Sequence, residues 1–265
     1  MDLHGRTAVI TGASSGIGLA CAEQLAQAGV NVTLGARRTD LLNAAAARIR
    51  AAGGRAEAVT MDVTREEDVE RLVARARDVF GGLDIMICNA GFGYYGTVEG
   101  TPGEVMRRMM DVNFMGTFYG ARAALPIFRA QQHGHLIFVS SIAGRRGVAQ
   151  MSGYSATKAA QAVFAESLRT EFAGSAIHIS TVFPVSTETE FRMAMDRDYG
   201  HTVEGLGPSQ SMAHVAESIL ACIRRPHPEV YPYALSRGLT VMNALAPAFT
   251  DRFVRRYGRR RKTHA

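Results

Sequence analysis

The stretch "TGASSGIG" at residues 11–18 follows an apolar run, "TAVI" at 7–10, and opens an amphipathic run that reaches Ala28. Read in order, this is a strand, a glycine-rich turn and a helix. Gly12 permits a tight turn, Gly16 lets the backbone approach a pyrophosphate, and Gly18 allows close packing of helix on strand. Ser14, Ser15 and Ile17 complete the loop. The N–H groups and positive dipole of the helix start are suited to phosphate. A glycine-rich turn by itself reads equally well as a structural turn; the strand–turn–helix context favours nucleotide binding.

Outward from this unit the alternation continues. Strand-like "NVTLGA" (31–36), "AEAVTM" (56–61), "LDIMICNA" (83–90), "HLIFVSS" (135–141), "IHISTVF" (177–183) and "EVYPY" (229–233) are separated by helical patterns. Those patterns lie at 39–52, 65–80, 104–130, 154–172 and 211–224. Near-continuous apolar strands alternating with helices imply a parallel sheet covered on both faces. The expected fold is α/β, a single-domain Rossmann-type doubly wound sheet of about seven strands. It is expected over 1–234, followed by a helical extension at 235–265.

The 265 residues carry a net charge of +6, which invites a nucleic-acid reading. Residues 252–265 alone hold seven Lys/Arg and no acid, so the rest of the chain is near neutral. Basic and aromatic residues are not interleaved over a broad surface, which argues against nucleic-acid recognition. The three cysteines, Cys21, Cys88 and Cys222, are too dispersed for a disulfide framework or a metal cluster. No metal is expected. The start of the chain has no secretory pattern, and no apolar run is long enough to span a bilayer. A cytoplasmic location is the expectation.

The end of the second strand bears on the choice between two dinucleotides. An acid there would bond a ribose 2′-hydroxyl. In "TLGARR", Ala36 takes that place and Arg37 and Arg38 follow. Guanidinium forks suit a 2′-phosphate, so NADP(H) is the expected cofactor. Two solvated arginines ahead of a helix are the plainer alternative.

With "MDVT" (61–64), "CNAG" (88–91), "DVNFMG" (111–116), "VSSIAG" (139–144) and "YSATK" (154–158), the ordered motifs resemble the short-chain dehydrogenase/reductase family from about residue 5 to about residue 190. Reducing a ketone creates an alkoxide that needs a positioned proton donor. A free tyrosine, with a pKa of about 10, holds its proton too tightly for ready exchange at neutral pH. Lys158, one helical turn after Tyr154, is expected to lower that pKa. The resemblance implies that Tyr154 is the acid and base and that Lys158 also bonds the nicotinamide ribose. It further implies that Ser141, rather than its neighbour Ser140, bonds the substrate oxygen, and that Asn113 anchors a relay water. Taken singly, the pair could decorate a helix surface, the serines could end a strand, and Asn113 could cap a helix.

The resemblance also implies cofactor contacts from Asp62 and Val63 at the adenine, from Asn89, Ala90 and Gly91 at the ribose, and from Pro184, Thr187 and Thr189 near the nicotinamide. Two departures stand out. Val185 follows Pro184 where the family usually has glycine, and the glycine loop carries serines where some NADP-dependent members carry a base.

Candidate pocket walls are Phe92, Tyr94 and Tyr95, then Val148 and Met151, and the segment 186–210 with Phe191, Met193, Met195 and Tyr199. Their character suggests an apolar ketone or secondary alcohol, steroid-, retinoid-, aromatic- or lipid-like, unless these residues simply pack together. Beyond 234, Leu235, Leu239, Met242, Ala246, Phe249 and Phe253 recur at helical spacing, with Pro247 breaking or restarting the helix. Packing of this stripe on its own domain or on a subunit is the favoured expectation. Docking on an anionic membrane is the other reading. The resemblance implies a homodimer or homotetramer. Rival functions are a non-catalytic NADP(H)-binding regulator and a nucleotide-sugar epimerase or dehydratase. Retention of both Tyr154 and Lys158 argues against the first, and the lack of a sizeable C-terminal sugar domain against the second.

Overall fold

Seven parallel strands form one sheet, ordered third, second, first, fourth, fifth, sixth and seventh by their place in the chain. The computed structural model describes residues 2–186 and 209–257. The strands are β1 (Thr7–Thr11), β2 (Asn31–Ala36), β3 (Ala56–Thr60), β4 (Ile85–Cys88), β5 (Gly134–Val139), β6 (Ile177–Val182) and β7 (Glu229–Val230). The helices are α1 (Gly16–Gln27), α2 (Thr39–Ala51), α3 (Glu66–Phe80), α4 (Gly103–Met109), α5 (Gly116–Gln131), α6 (Ser152–Glu171), α7 (Met212–Arg224), α8 (Leu235–Leu245) and α9 (Pro247–Tyr257).

The period-two alternation of each strand divides the core. Ala8 and Ile10 of β1, Ile85 and Ile87 of β4, and Ile137 and Val139 of β5 pack on one face, against α1, α2 and α7. Val9, Met86, Cys88, Leu136 and Phe138 point to the other face, against α3, α5 and α6. Burial on both faces explains why the strands read as apolar runs. After β3 the strand order reverses, so β1 is flanked by β2 and β4. The crevice outside the carboxyl ends of β1 and β4 is where such sheets bind ligands.

The expected doubly wound sheet is observed, with differences at element ends. β7 has only two residues rather than the expected 229–233, because Pro232 offers no N–H to extend the ladder. The helical run expected at 104–130 spans Gly103–Gln131 but contains a π-helical segment at Met110–Met115. Asn113 lies inside that segment, not at a cap. Pro247 does restart the helix, separating α8 from α9. The favoured packing of the C-terminal stripe holds only in part: Leu239, Met242 and Ala246 are half-buried, whereas Leu235 and Phe249 are exposed. The described helices include none long and apolar enough to cross a membrane.

Candidate active site

The glycine loop leaves β1 through backbone that other residues rarely adopt. Gly12 has φ 68° and Gly16 φ 63°. A Cβ on Gly12 would lie 2.8 Å from Cα of Ala90, and one on Gly18 would lie 2.5 Å from both Asn89 Nδ2 and the Gly12 carbonyl. Asn89 fastens the loop, its Nδ2 donating to the carbonyls of Thr11 at 3.0 Å and Gly12 at 3.2 Å. The Thr11 hydroxyl in turn accepts from the N–H groups of Asn89 and Ala90. Asn89 and Ala90 therefore brace β1 against β4, whatever else they contact.

Arg38, just past the end of β2, reaches back over this loop. Its guanidinium donates to the Ser14 hydroxyl at 3.2 Å and to the Ser15 hydroxyl at 2.5 Å. Arg37 and Arg38 are both exposed. The serines that stand where a basic residue might be are thus covered by a base from the neighbouring strand. Asp62 receives the N–H and hydroxyl of Thr64, each at 3.0 Å. Val63 is buried against Gly116, where a Cβ would approach it to 2.8 Å.

Ser141 follows β5 and opens a single 3₁₀ turn at Ile142–Gly144, its hydroxyl accepting from the Ala143 N–H at 3.1 Å. Ser141 lies close enough to Tyr154 to oppose the rise of its phenol pKa. Ser140 does point elsewhere: its hydroxyl donates to the Lys158 carbonyl at 2.8 Å, which clamps β5 to α6. Tyr154 and Lys158 are both buried, so the pair does not decorate a surface. Asn113 is buried too, and its Nδ2 donates to Phe92 O and to Thr157 Oγ1, each at 2.9 Å. Across Gly91 the groups converge, since a Cβ there would sit 3.1 Å from Asn113 Oδ1 and 3.3 Å from Lys158 Nζ.

The expected lowering of the Tyr154 pKa by Lys158 is not found. Burial pushes the phenol up to about 12, opposed by the nearby Ser141. Burial also pushes Lys158 down to about 7, and its Nζ donates to the Val139 carbonyl at 2.9 Å. Desolvation penalises the charged form of each group and is the first cause of both shifts. The ammonium lies 5.8 Å from the tyrosine ring centroid.

Phe92, Tyr94, Val148 and Met151 pack in one apolar cluster with Tyr154. Val105, Met106, Met109 and Ala143 belong to it as well and were not anticipated. Met106 and Met109 lie on α4 at a three-residue spacing, which reads as ordinary core. Gly153 is where they come closest, since a Cβ there would lie 2.7 Å from Met109 Cε and 2.8 Å from Met106 Sδ. Pro184 is buried, and its carbonyl accepts from the Ile142 N–H at 2.9 Å. Val185 does not have a positive φ, so a β-branched residue is accommodated without strain. Its N–H bonds Gln210 Oε1 at 3.4 Å, and the Gln210 N–H bonds Ser186 O at 2.9 Å. Thr187, Thr189, Phe191, Met193, Met195 and Tyr199 lie outside the described residues.

Thr157 and Gln161 also escaped the sequence reading. They fall three and seven residues after Tyr154, the spacing that places side chains on one helix face. Among the described residues, no group of three or more His, Cys, Asp or Glu is placed to hold a metal ion.

Comparison with known proteins agrees with this geometry. Residues 6–200 match the family model described as short chain dehydrogenase. The chain is 35% identical over 229 residues to glycine betaine reductase ATRR of Emericella nidulans, covering 84% of this chain but only 18% of that much longer protein. Among solved structures, a short chain dehydrogenase/reductase from Burkholderia phymatum in complex with NAD aligns with a TM-score of 0.86 at 24% identity, over 94% of this chain and 96% of that one. An alcohol dehydrogenase from the archaeon Thermococcus sibiricus, complexed with 5-hydroxy-NADP, aligns with a TM-score of 0.75 at 27% identity, over 85% and 95%. The chain belongs to the short chain dehydrogenase family of oxidoreductases.

Proposed function

We propose that the protein is an NADP(H)-dependent carbonyl reductase or alcohol dehydrogenase acting on an apolar ketone or secondary alcohol. The observation that carries the reaction class is the meeting of Ser141, Tyr154 and Lys158 beside an apolar cluster, at the carboxyl ends of β4 and β5. A dinucleotide fits the residues present. The loop is built on glycines whose Cβ positions are already filled by neighbouring atoms, and α1 begins with no acid in its first turn.

When bound in its reduced form, the nicotinamide supplies the hydride. The protein's own residues do the rest. Tyr154, held protonated by burial, is a loaded donor for the developing alkoxide. Ser141, beside Tyr154, would hold the substrate oxygen within reach of the phenol. Lys158 and Asn113 border Gly91, where they would orient the ribose and refill the Tyr154 proton. Phe92, Tyr94, Val148 and Met151 supply the apolar wall that excludes water.

The preference for NADP(H) rests on Arg38 lying across Ser14 and Ser15, with Ala36 where an acid would reject a 2′-phosphate. A solved relative with NAD and another with an NADP derivative are both similar to this chain, so the arginine is the argument. The test is a panel of apolar ketones and alcohols with NADPH and NADH, run with wild type and Tyr154→Phe. Turnover with NADPH that Tyr154→Phe lowers by about a hundredfold or more is the expected result. Equal turnover by the two proteins would remove Tyr154 as the proton donor.

A further inference from the structure

Asn113 and Thr157 are both fully buried, on different helical segments, and their side chains meet. Asn113 Nδ2 donates to Thr157 Oγ1 at 2.9 Å, and the Thr157 hydroxyl donates onward to the Tyr154 carbonyl at 2.8 Å. On its other side the Asn113 amide holds one residue twice. Its Oδ1 accepts from the Phe92 N–H at 2.9 Å, and its Nδ2 donates to the Phe92 carbonyl at 2.9 Å.

These donors and acceptors allow one arrangement. A backbone N–H can only donate and a carbonyl can only accept, so Phe92 decides which end of the Asn113 amide carries the nitrogen. The second Nδ2 hydrogen then falls to Thr157, whose oxygen accepts it while its own hydrogen goes to the Tyr154 carbonyl. A side chain without an acceptor at position 157 would leave a buried N–H unpaired, which a dry interior penalises. The main chain at Asn113 is held separately, since its carbonyl accepts from Gln161 Nε2 and Thr117 Oγ1. Loss of the Thr157 hydroxyl therefore frees the Asn113 side chain rather than the segment that carries it.

The amide joins two sides of the site. Phe92 packs in the apolar cluster with Tyr154, and Gly91 before it lies against Asn113 Oδ1 and Lys158 Nζ. Thr157 stands between Tyr154 and Lys158 in α6. The bonds from the Tyr154 carbonyl through Thr157 and Asn113 to Phe92 thus brace the apolar wall against the helix that bears the proton donor.

We propose that Thr157 is a positioning residue: by holding the Asn113 amide it fixes the backbone of Gly91 and Phe92 against α6, and so sets where a substrate lies relative to the Tyr154 phenol. Its catalytic consequence rests on the reductase reading above; the brace itself does not.

Thr157→Val keeps the shape and removes the hydroxyl, Thr157→Ser keeps the hydroxyl, and Thr157→Ala is a second hydroxyl-free variant should valine disturb the fold. In the cofactor-free, full-length protein, hydrogen exchange at the Phe92 amide should be about tenfold faster in Thr157→Val and unchanged in Thr157→Ser. With the ketone and cofactor that wild type turns over best, Thr157→Val should lose about ten- to a hundredfold in kcat while the KM for the cofactor moves by less than about twofold. Thr157→Ser should keep the wild-type kcat. Unchanged exchange at Phe92, or an unchanged kcat, in the hydroxyl-free variants overturns the proposal, as does a loss of kcat that Thr157→Ser shares. A wild type that turns over no ketone or alcohol would defeat the reductase reading instead, and exchange at Phe92 would still decide whether Thr157 holds the brace.

Discussion

Gln161 of α6 donates from Nε2 to the backbone carbonyl of Asn113 at 2.7 Å. This carbonyl belongs to the π-helical segment, where the regular i→i+4 ladder is interrupted. Thr117 Oγ1 supplies a second donor at 2.8 Å, and Gln161 bonds that hydroxyl too. Replacing Gln161 by leucine leaves a buried carbonyl with one partner fewer and should cost about 1–3 kcal/mol. The Oε1 of Gln161 has no partner of its own, which places the expected loss toward the lower end. Urea unfolding reads it; an unchanged midpoint would mean the segment needs no such support.

Arg38 offers a second test, through its bonds to Ser14 and Ser15. Charge-assisted hydrogen bonds are worth about 1.5–3 kcal/mol each, so Arg38→Ala should raise the KM for NADPH on the order of tenfold to a hundredfold. The KM for NADH, which has no 2′-phosphate, should move little. Equal changes for both cofactors would place Arg38 in loop support rather than in phosphate recognition.

Much of this was legible in the sequence because the signals are local. Strand β2 and the glycine loop depend on residues within a few positions of one another, and burial on both faces writes itself as apolar runs. The π-helical segment was not legible: nothing in "MDVNFM" differs from an ordinary helix, and the bulge is held by Gln161 from another helix. The direction of the Tyr154 pKa was misread for a similar reason. Helical spacing shows that Lys158 is near, but not that both groups are out of water, and burial then outweighs proximity. Met106 and Met109 joined the apolar cluster only because α4 folds back onto the start of α6.

Lys158 gives a prediction about pH. Its pKa falls to about 7 in the folded protein, from the ordinary lysine value that the unfolded chain recovers. Between those values the unfolded state binds the extra proton, so stability rises with pH from about 7 to about 10. Below pH 7 both states are charged and the full cost of burying the ammonium is felt. Lys158→Met removes this term, so the cofactor-free variant should be more stable than wild type near neutrality by a few kcal/mol, roughly, with the gap closing toward pH 10. Melting curves of both proteins across this range test it. A gap that stays constant would show that the ammonium is solvated in the folded state.

His135 makes the complementary prediction on the acid side. It is fully buried on β5, with Nε2 2.8 Å from the Ser180 hydroxyl. That hydroxyl donates to the His227 carbonyl at 2.6 Å, so it accepts from His135, and the imidazole proton sits on Nε2. Nδ1 then remains without a partner, and a proton added there would find no acceptor. Burial, with the His178 ring centroid 5.9 Å away, holds the pKa down at about 3. Because the unfolded histidine titrates near 6.5, the unfolded state takes up the proton first, and stability falls as pH drops from about 6.5 toward 3. His135→Gln keeps a donor for Ser180 but cannot be protonated, so its acid unfolding should begin at lower pH and follow a shallower slope. Urea midpoints at several pH values between 7 and 4 compare the two proteins directly. Parallel slopes would mean that the acid sensitivity of the fold arises from other groups.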